Sequence, residues 1–389
     1  MNHPVVAILE RSIVYDAERQ PANLRVSFFT SLMRTCSGEV FCAFQVGPVK
    51  NAADSTIGIY SSVDGGKCWI ERPFPFETHY RGVTGSLGCA EMVEDGRGRL
   101  LLFATWWDRS DPQRPLFDPD TQGILHSRIL WCASTDGGKS WDGWREVPLD
   151  GMKGCSLTGP VLRWPDGSLA IPFESYKEYD ETDPHPHAAW LVMFDPNGDC
   201  FSKPSMVARH PEDRVCYWDQ RLSAGRKNGE YTAFFWAHDL TAKRDLAVCM
   251  KRGSIPSSEK PWDSIRETPI RGQIAAPCWL EDGRLLVFVV DRNPPAAMKL
   301  WVSPDGGMTW PETESLVVYH HEEKASVTQG ATDVDFRQYW EDMGKWSFGH
   351  PAIQPLGNDE ILVAYYAGRP DCMSIHSARI QLNTTKHTL

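Results

Sequence analysis

The sequence lacks most features that would mark a common function. No apolar run reaches the roughly 18–20 residues that cross a bilayer, so no membrane span is expected. Its start, MNHPVVAILERS, has no basic segment, only a short apolar run and no small-residue cleavage motif, so no secretory leader is expected. The 11 cysteines are scattered without a C-x-x-C pair, which reads as buried free thiols in a reducing compartment. Both features point to the cytoplasm. There is no H-E-x-x-H, no phosphate-cradling glycine loop and no dinucleotide fingerprint, so neither a cofactor nor a catalytic metal is expected. With a formal net charge of −11, the chain is short of the basic surface that nucleic acid or an anionic membrane demands.

What is abundant is tryptophan, with 16 residues. A tryptophan fills a core or a ligand surface, and its N–H needs a partner. Three tryptophans close near-identical segments: Ser62 to Trp69 (SVDGGKCW), Ser134 to Trp141 (STDGGKSW) and Ser303 to Trp310 (SPDGGMTW). The spacing Ser-x-Asp-x-Gly-x-x-Trp is that of a hairpin turn. The Asp accepts backbone N–H groups, the Gly takes a positive φ, and the Trp folds back onto the strands.

A second pattern recurs between these turns: a short strand, a turn, then an apolar strand. It begins at Ser31, Ala90, Pro160, Arg221, Ala276 and Pro351. Continuous runs such as LLVFVV suit strands buried on both faces. No linker divides the chain, so residues 1–389 are expected to form a single all-β domain, a six-bladed β-propeller, in preference to a sandwich or two β domains. Closure is expected where residues near Ile13 to Tyr15 pair with the last blade near Ile375 to Ile380.

The three turns resemble the Asp boxes of the sialidase superfamily, and the resemblance implies a sialidase-like propeller whose boxes lie on the face away from the active site. The chain departs from that family's arginine triad. Phe28 stands where the first arginine should be, and Arg25 is out of phase by three residues. The loop AFQVGPVKNAADSTIG offers no second arginine, while Asp54 falls near the place of the family's acid. Cleavage of ordinary sialic acid is therefore not expected. The family's tyrosine nucleophile, helped by a glutamate, implies a pair drawn from Tyr365 or Tyr366 with Glu174.

On this fold the functional loops enter each first strand or join second to third. They supply Glu174, Asp219 and Asp239 beside aromatics as candidate acids or bases, with His350 and Tyr366 as further catalytic candidates. Candidates for holding a carbohydrate are Arg25, Asp54, Trp106, Trp107, Lys177, Trp218, His238, Gln273 and Arg292. The alternative for any one loop carboxylate is a turn cap or a solvated charge. His185-Pro-His187 beside Asp180, Glu181 and Asp183 reads as an exposed loop, with a metal site as the alternative. Residues from Ser326 to Lys345, with Asp333, Asp335, Arg337, Tyr339 and Trp340, read as a lid.

The expected function is a glycoside hydrolase acting on a small or oligomeric glycoside, with an acidic sugar gripped by Arg292 or Arg244. Two alternatives are a uronate lyase using His350, His238 or Tyr366 with Arg292, and a non-catalytic carbohydrate-binding propeller. Oligomeric state is not legible.

Overall fold

Residues 6–73, 76–183, 187–255, 260, 264–322 and 336–382 are described by the structure, a computed structural model. The strands form six blades around an axis, four or more strands to a blade. The first strands are Val26–Arg34, Val83–Glu94, Cys155–Leu157 with Leu162–Arg163, Val215–Ala224, Ala275–Trp279 and Phe348–Gly357. Each is followed by an antiparallel second strand: Val40–Gly47, Leu100–Asp108, Leu169–Ser175, Glu230–Asp239, Leu285–Asp291 and Glu360–Arg369. These hairpins are the six repeat units of the sequence.

The ring closes between chain ends. Val6–Tyr15 becomes the outer strand of blade six by pairing with Cys372–Leu382, with Ile13 opposite His376 and Tyr15 opposite Ile375. The hydrophobic core is not central but divided between neighbouring blades. Phe103 and Trp131 of blade two, for example, pack on Phe173 and Phe194 of blade three. This is why the second strands are apolar on both faces: every residue of Val40–Gly47 and of Leu285–Asp291 is buried.

The three Ser-x-Asp turns share one hydrogen-bond pattern. Asp64 accepts from the backbone N of Lys67 and Cys68, and Asp136 and Asp305 do the same three and four residues on. The serine bonds the aspartate and accepts from the second glycine's N–H. All eleven cysteines are free, but Cys36, Cys68 and Cys200 are exposed, which corrects the expectation of buried thiols throughout.

Candidate active site

Four first strands carry the same irregularity. Pairing slips by one residue between Phe28 and Ser31, Gly88 and Glu91, Trp218 and Arg221, and Gly349 and Ala352. Each bulge holds a non-glycine residue at positive φ: Phe29 (54°), Cys89 (48°), Asp219 (49°) and His350 (54°). Such a conformation costs a residue with a Cβ on the order of 1–2 kcal/mol, and bulges re-aim side chains beside functional sites. Here the four residues line one cavity at the axis.

The second-to-third loops complete the wall with Lys50, Leu116, Phe117, Ile124, Tyr176 and Arg292, placing the cavity on the face opposite the Ser-x-Asp turns. The described part of the connection from blade five to blade six that follows residue 335 reaches it. The helix Phe336–Met343 and the residues after it bring in Tyr339, Met343 and Trp346. Tyr339 donates to Asp245 Oδ1 at 2.9 Å, and Lys50 Nζ donates to the carbonyl oxygens of Met343 (3.0 Å) and Trp346.

Asp219 is the one carboxylate lining the cavity among the described residues. Burial raises its pKa, against the opposing charges of Arg221 and Arg292. Arg221 Nη2 lies 3.7 Å from Asp219 Oδ1, and Arg221 Nη1 lies 3.7 Å from Glu91 Oε1, deeper in the shaft.

Glu174 lies behind this wall and is fully buried. It accepts from Gln220 N at 2.7 Å and from the Tyr176 hydroxyl at 2.8 Å, with His187 Nε2 3.5 Å away. Burial first, then the Asp219 charge, pushes its carboxyl up to about 8. Tyr176 faces the cavity, so Glu174 touches it through the phenol. The expected partner was Tyr365 or Tyr366, but the Tyr366 hydroxyl accepts instead from Lys50 Nζ at 2.9 Å, and Tyr365 is buried in the apolar core shared by blades five and six.

Arg292 leaves the second strand of blade five and is buried. Its guanidinium lies 4.0 Å from the Trp346 ring centroid, and Nη2 donates to Phe348 O at 3.3 Å. Its Nε and Nη1 have no hydrogen-bond partner among the described residues. Gly349, at φ 144°, makes room for it: a Cβ there would stand 2.6 Å from Arg292 Nη2. Burial raises the Tyr366 pKa, while the Arg292 charge opposes the rise.

His350 is not free to act as a base. Its Nε2 meets Arg221 Nη2 and its Nδ1 lies 3.2 Å from Thr30 O. Nδ1–H therefore donates to the carbonyl and Nε2 accepts from the guanidinium. Burial, then the Arg221 charge, holds the imidazole neutral, well below the ordinary histidine range.

Of the other expected residues, Trp107 and Trp218 line the cavity. His238 and Gln273 are buried behind it: His238 Nδ1 is 2.9 Å from Asp245 Oδ1, and Gln273 Oε1 accepts from Arg292 N. Five candidates lie elsewhere. Asp239 caps a turn, accepting from Thr241 N and Ala242 N at 2.8 Å, and those donors hold its pKa down. Trp106 packs between blades and donates to Thr78 O. Arg25 is exposed and bonds Gln20 O, Lys177 bonds Thr182 O, and Asp54 is exposed. His185, Asp333 and Asp335 lie outside the described residues, as do the side chains of Arg337 and Trp340.

Sequence reasoning missed Phe29, Lys50, Cys89 and Arg221. The available signal was the shared first-strand position of Phe29, Cys89, Asp219 and His350, which each stand two residues before the point where ordinary pairing resumes.

The sequence matches no family model and no curated protein. Solved structures do resemble the fold. A protein of unknown function from Dyadobacter fermentans superposes with a TM-score of 0.70 at 18% identity, over 98% of this chain and 100% of that one. A Hadza microbial sialidase gives 0.66 at 15% identity, over 95% and 68% of the two chains. An alpha-L-arabinanase of Penicillium chrysogenum, complexed with arabinobiose, gives 0.61 at 14% identity, over 97% and 99%. At these identities the likeness is one of fold: the chain is a six-bladed propeller like those of sialidases and an arabinanase.

Proposed function

We propose that this protein is a glycoside hydrolase whose site is the axial cavity, acting on a small or oligomeric glycoside that carries an anionic group. The observation that supports this most is Asp219: a lone lining carboxylate, strained into place on a bulge, coupled by burial to a second carboxylate behind Tyr176. Two neighbouring carboxyls, Glu174 fully buried and Asp219 partly exposed to the cavity, resist both being ionised, so the pair retains a proton near neutrality. The pair shares this proton; in the reactive form it sits on Asp219, and the charge on Glu174 takes the hydrogen bonds of the Tyr176 hydroxyl and the Gln220 N–H.

Asp219 then protonates the glycosidic oxygen as the bond to the anomeric carbon breaks. Tyr176 Oη attacks that carbon while its proton passes to Glu174 over the existing 2.8 Å bond. Water hydrolyses the glycosyl-tyrosine in the reverse sense, with Asp219 as base and Glu174 returning the proton to Tyr176. Arg292, with two unpaired nitrogens, and Lys50 supply positive charge for a substrate carboxylate.

The test is a panel of chromogenic glycosides and uronate polymers. Asp219→Asn should lower turnover by about 10²–10⁴-fold, the range of general acid catalysis, without loss of fold. Unchanged turnover would remove the proposal. One observation favours a second reading, a uronate lyase: Tyr366 Oη accepts from Lys50 beside Arg292, a phenol set against cations that could neutralise a uronate. That reaction makes an unsaturated product absorbing in the ultraviolet, which hydrolysis does not.

A further inference from the structure

The cavity is chemically two-sided. Its lining acid, Asp219, comes from blade four, and Arg292, His350 and Tyr366 come from blades five and six. Blade two contributes Cys89, Trp107, Leu116, Phe117 and Ile124, none with a charge or a hydroxyl. A sugar ring carries hydroxyls around its edge, and this wall offers them a single donor, the unpaired Trp107 Nε1–H.

This wall is built, not loosely draped. Trp107, Leu116, Ile124, Leu125 and Tyr179 form their own apolar cluster. The loop behind them is fixed to blade three: Ile124 N donates to Lys177 O at 2.9 Å, and Gly123 lies so close that a Cβ would be 2.0 Å from Glu178 O. Arg109, at the start of the loop, is buried and turned away, donating to Ser86 Oγ and Asn51 O. The apolar surface is therefore held in place before any ligand arrives.

We infer that the blade-two half of the cavity receives an apolar, ring-sized aglycone, so that the substrates are glycosides of hydrophobic alcohols or phenols and not sugar chains alone. The inference rests on the hydrolase reading for the word aglycone. The preference for an apolar ring stands on the wall itself.

Binding of free 4-methylumbelliferone, followed by fluorescence titration, tests it without turnover. Wild type and Phe117→Leu should bind alike, and Phe117→Gln should bind about tenfold more weakly, as expected for replacing a half-buried apolar contact with an amide. Benzyl glycosides should have kcat/KM about tenfold or more above methyl glycosides of the same sugar, and Phe117→Gln should erase that ratio; the two leaving alcohols are similarly basic. Absence of saturable binding to wild type, or equal binding by the folded Phe117→Gln protein, would overturn the inference. Probe binding with no glycoside cleaved would defeat the hydrolase reading alone, whereas cleavage without probe binding would defeat the aglycone inference alone.

Discussion

Arg221 and His350 meet across the shaft, Nη2 against Nε2, and the contact fixes the protonation of the imidazole. A histidine that accepts from a guanidinium is neutral, and an amide can take its place. His350→Gln is thus expected to keep the fold and most activity, whereas His350→Ala should cost about 1–3 kcal/mol by leaving a buried Arg221 nitrogen unpaired. The histidine pKa is depressed, so below about pH 6.5 the unfolded chain takes up a proton that the folded one refuses, and the contribution of His350 to stability falls on acidification. The Tm of the wild type should therefore drop relative to that of His350→Gln as pH is lowered from 7 to 5. An imidazole resonance of His350 titrating in that range by NMR would contradict the assignment.

Tyr176 and Glu174 make a second pair whose removal separates chemistry from packing. Tyr176→Phe keeps the buried ring but deletes the donor to Glu174 Oε2. Turnover should fall by about 10²–10⁴-fold with KM little changed, if the phenol acts only in the transition state. Tyr366→Phe, which breaks the bond from Lys50, should chiefly raise KM for anionic substrates. The reverse pattern in steady-state kinetics would favour the lyase reading.

The fold was legible because its signals are local. The Ser-x-Asp turns are written in hydrogen bonds between residues two to four apart, and the second strands in unbroken apolar runs. The candidate site was legible where a cavity-lining side chain coincides with a strand end, as for Arg292, which directly follows Leu285–Asp291. It was not legible where a bulge decides direction. Nothing in FFTS or GCAE says that Phe29 and Cys89 adopt positive φ, because that depends on pairing with the second strand. The same strand-end logic misplaced Asp239. An aspartate two residues before Thr241 has its own backbone N–H groups within reach and uses its carboxylate on them.

Two carboxyls act on stability in the opposite direction to His350, from about pH 4.3 upward. Glu91 and Glu174 are both pushed up to about 8, chiefly by burial. Unfolded glutamates titrate near 4.3, so between these values the unfolded chain has released protons that the folded chain keeps. Stability is greatest with both carboxyls protonated and falls as pH rises toward 8, by up to about 1.4 kcal/mol per pH unit for each proton fully retained. From pH 7 to 8, above the histidine range, denaturant midpoints should decline in the wild type. Glu174→Gln should make the decline shallower, and a slope unaffected by that substitution would show that the Glu174–Asp219 pair holds no extra proton when folded.

The turn serines give a change that ought to touch stability and leave the cavity alone. Ser134 is buried, donates to Asp136 Oδ1 at 2.8 Å and accepts from Gly138 N at 2.9 Å. Ser134→Ala leaves a buried N–H without its acceptor, at a cost of about 1–2 kcal/mol. Because this turn lies on the face opposite the cavity, kcat and KM of the folded protein should stay at wild-type values while the urea midpoint drops. Ser303→Ala, at the equivalent place in blade five, should behave alike and add to it, since the two turns share no hydrogen-bond partner. Altered kinetics with an unmoved midpoint would mean that the two faces have been assigned the wrong way round, and Asp219 would lose its claim to the chemistry.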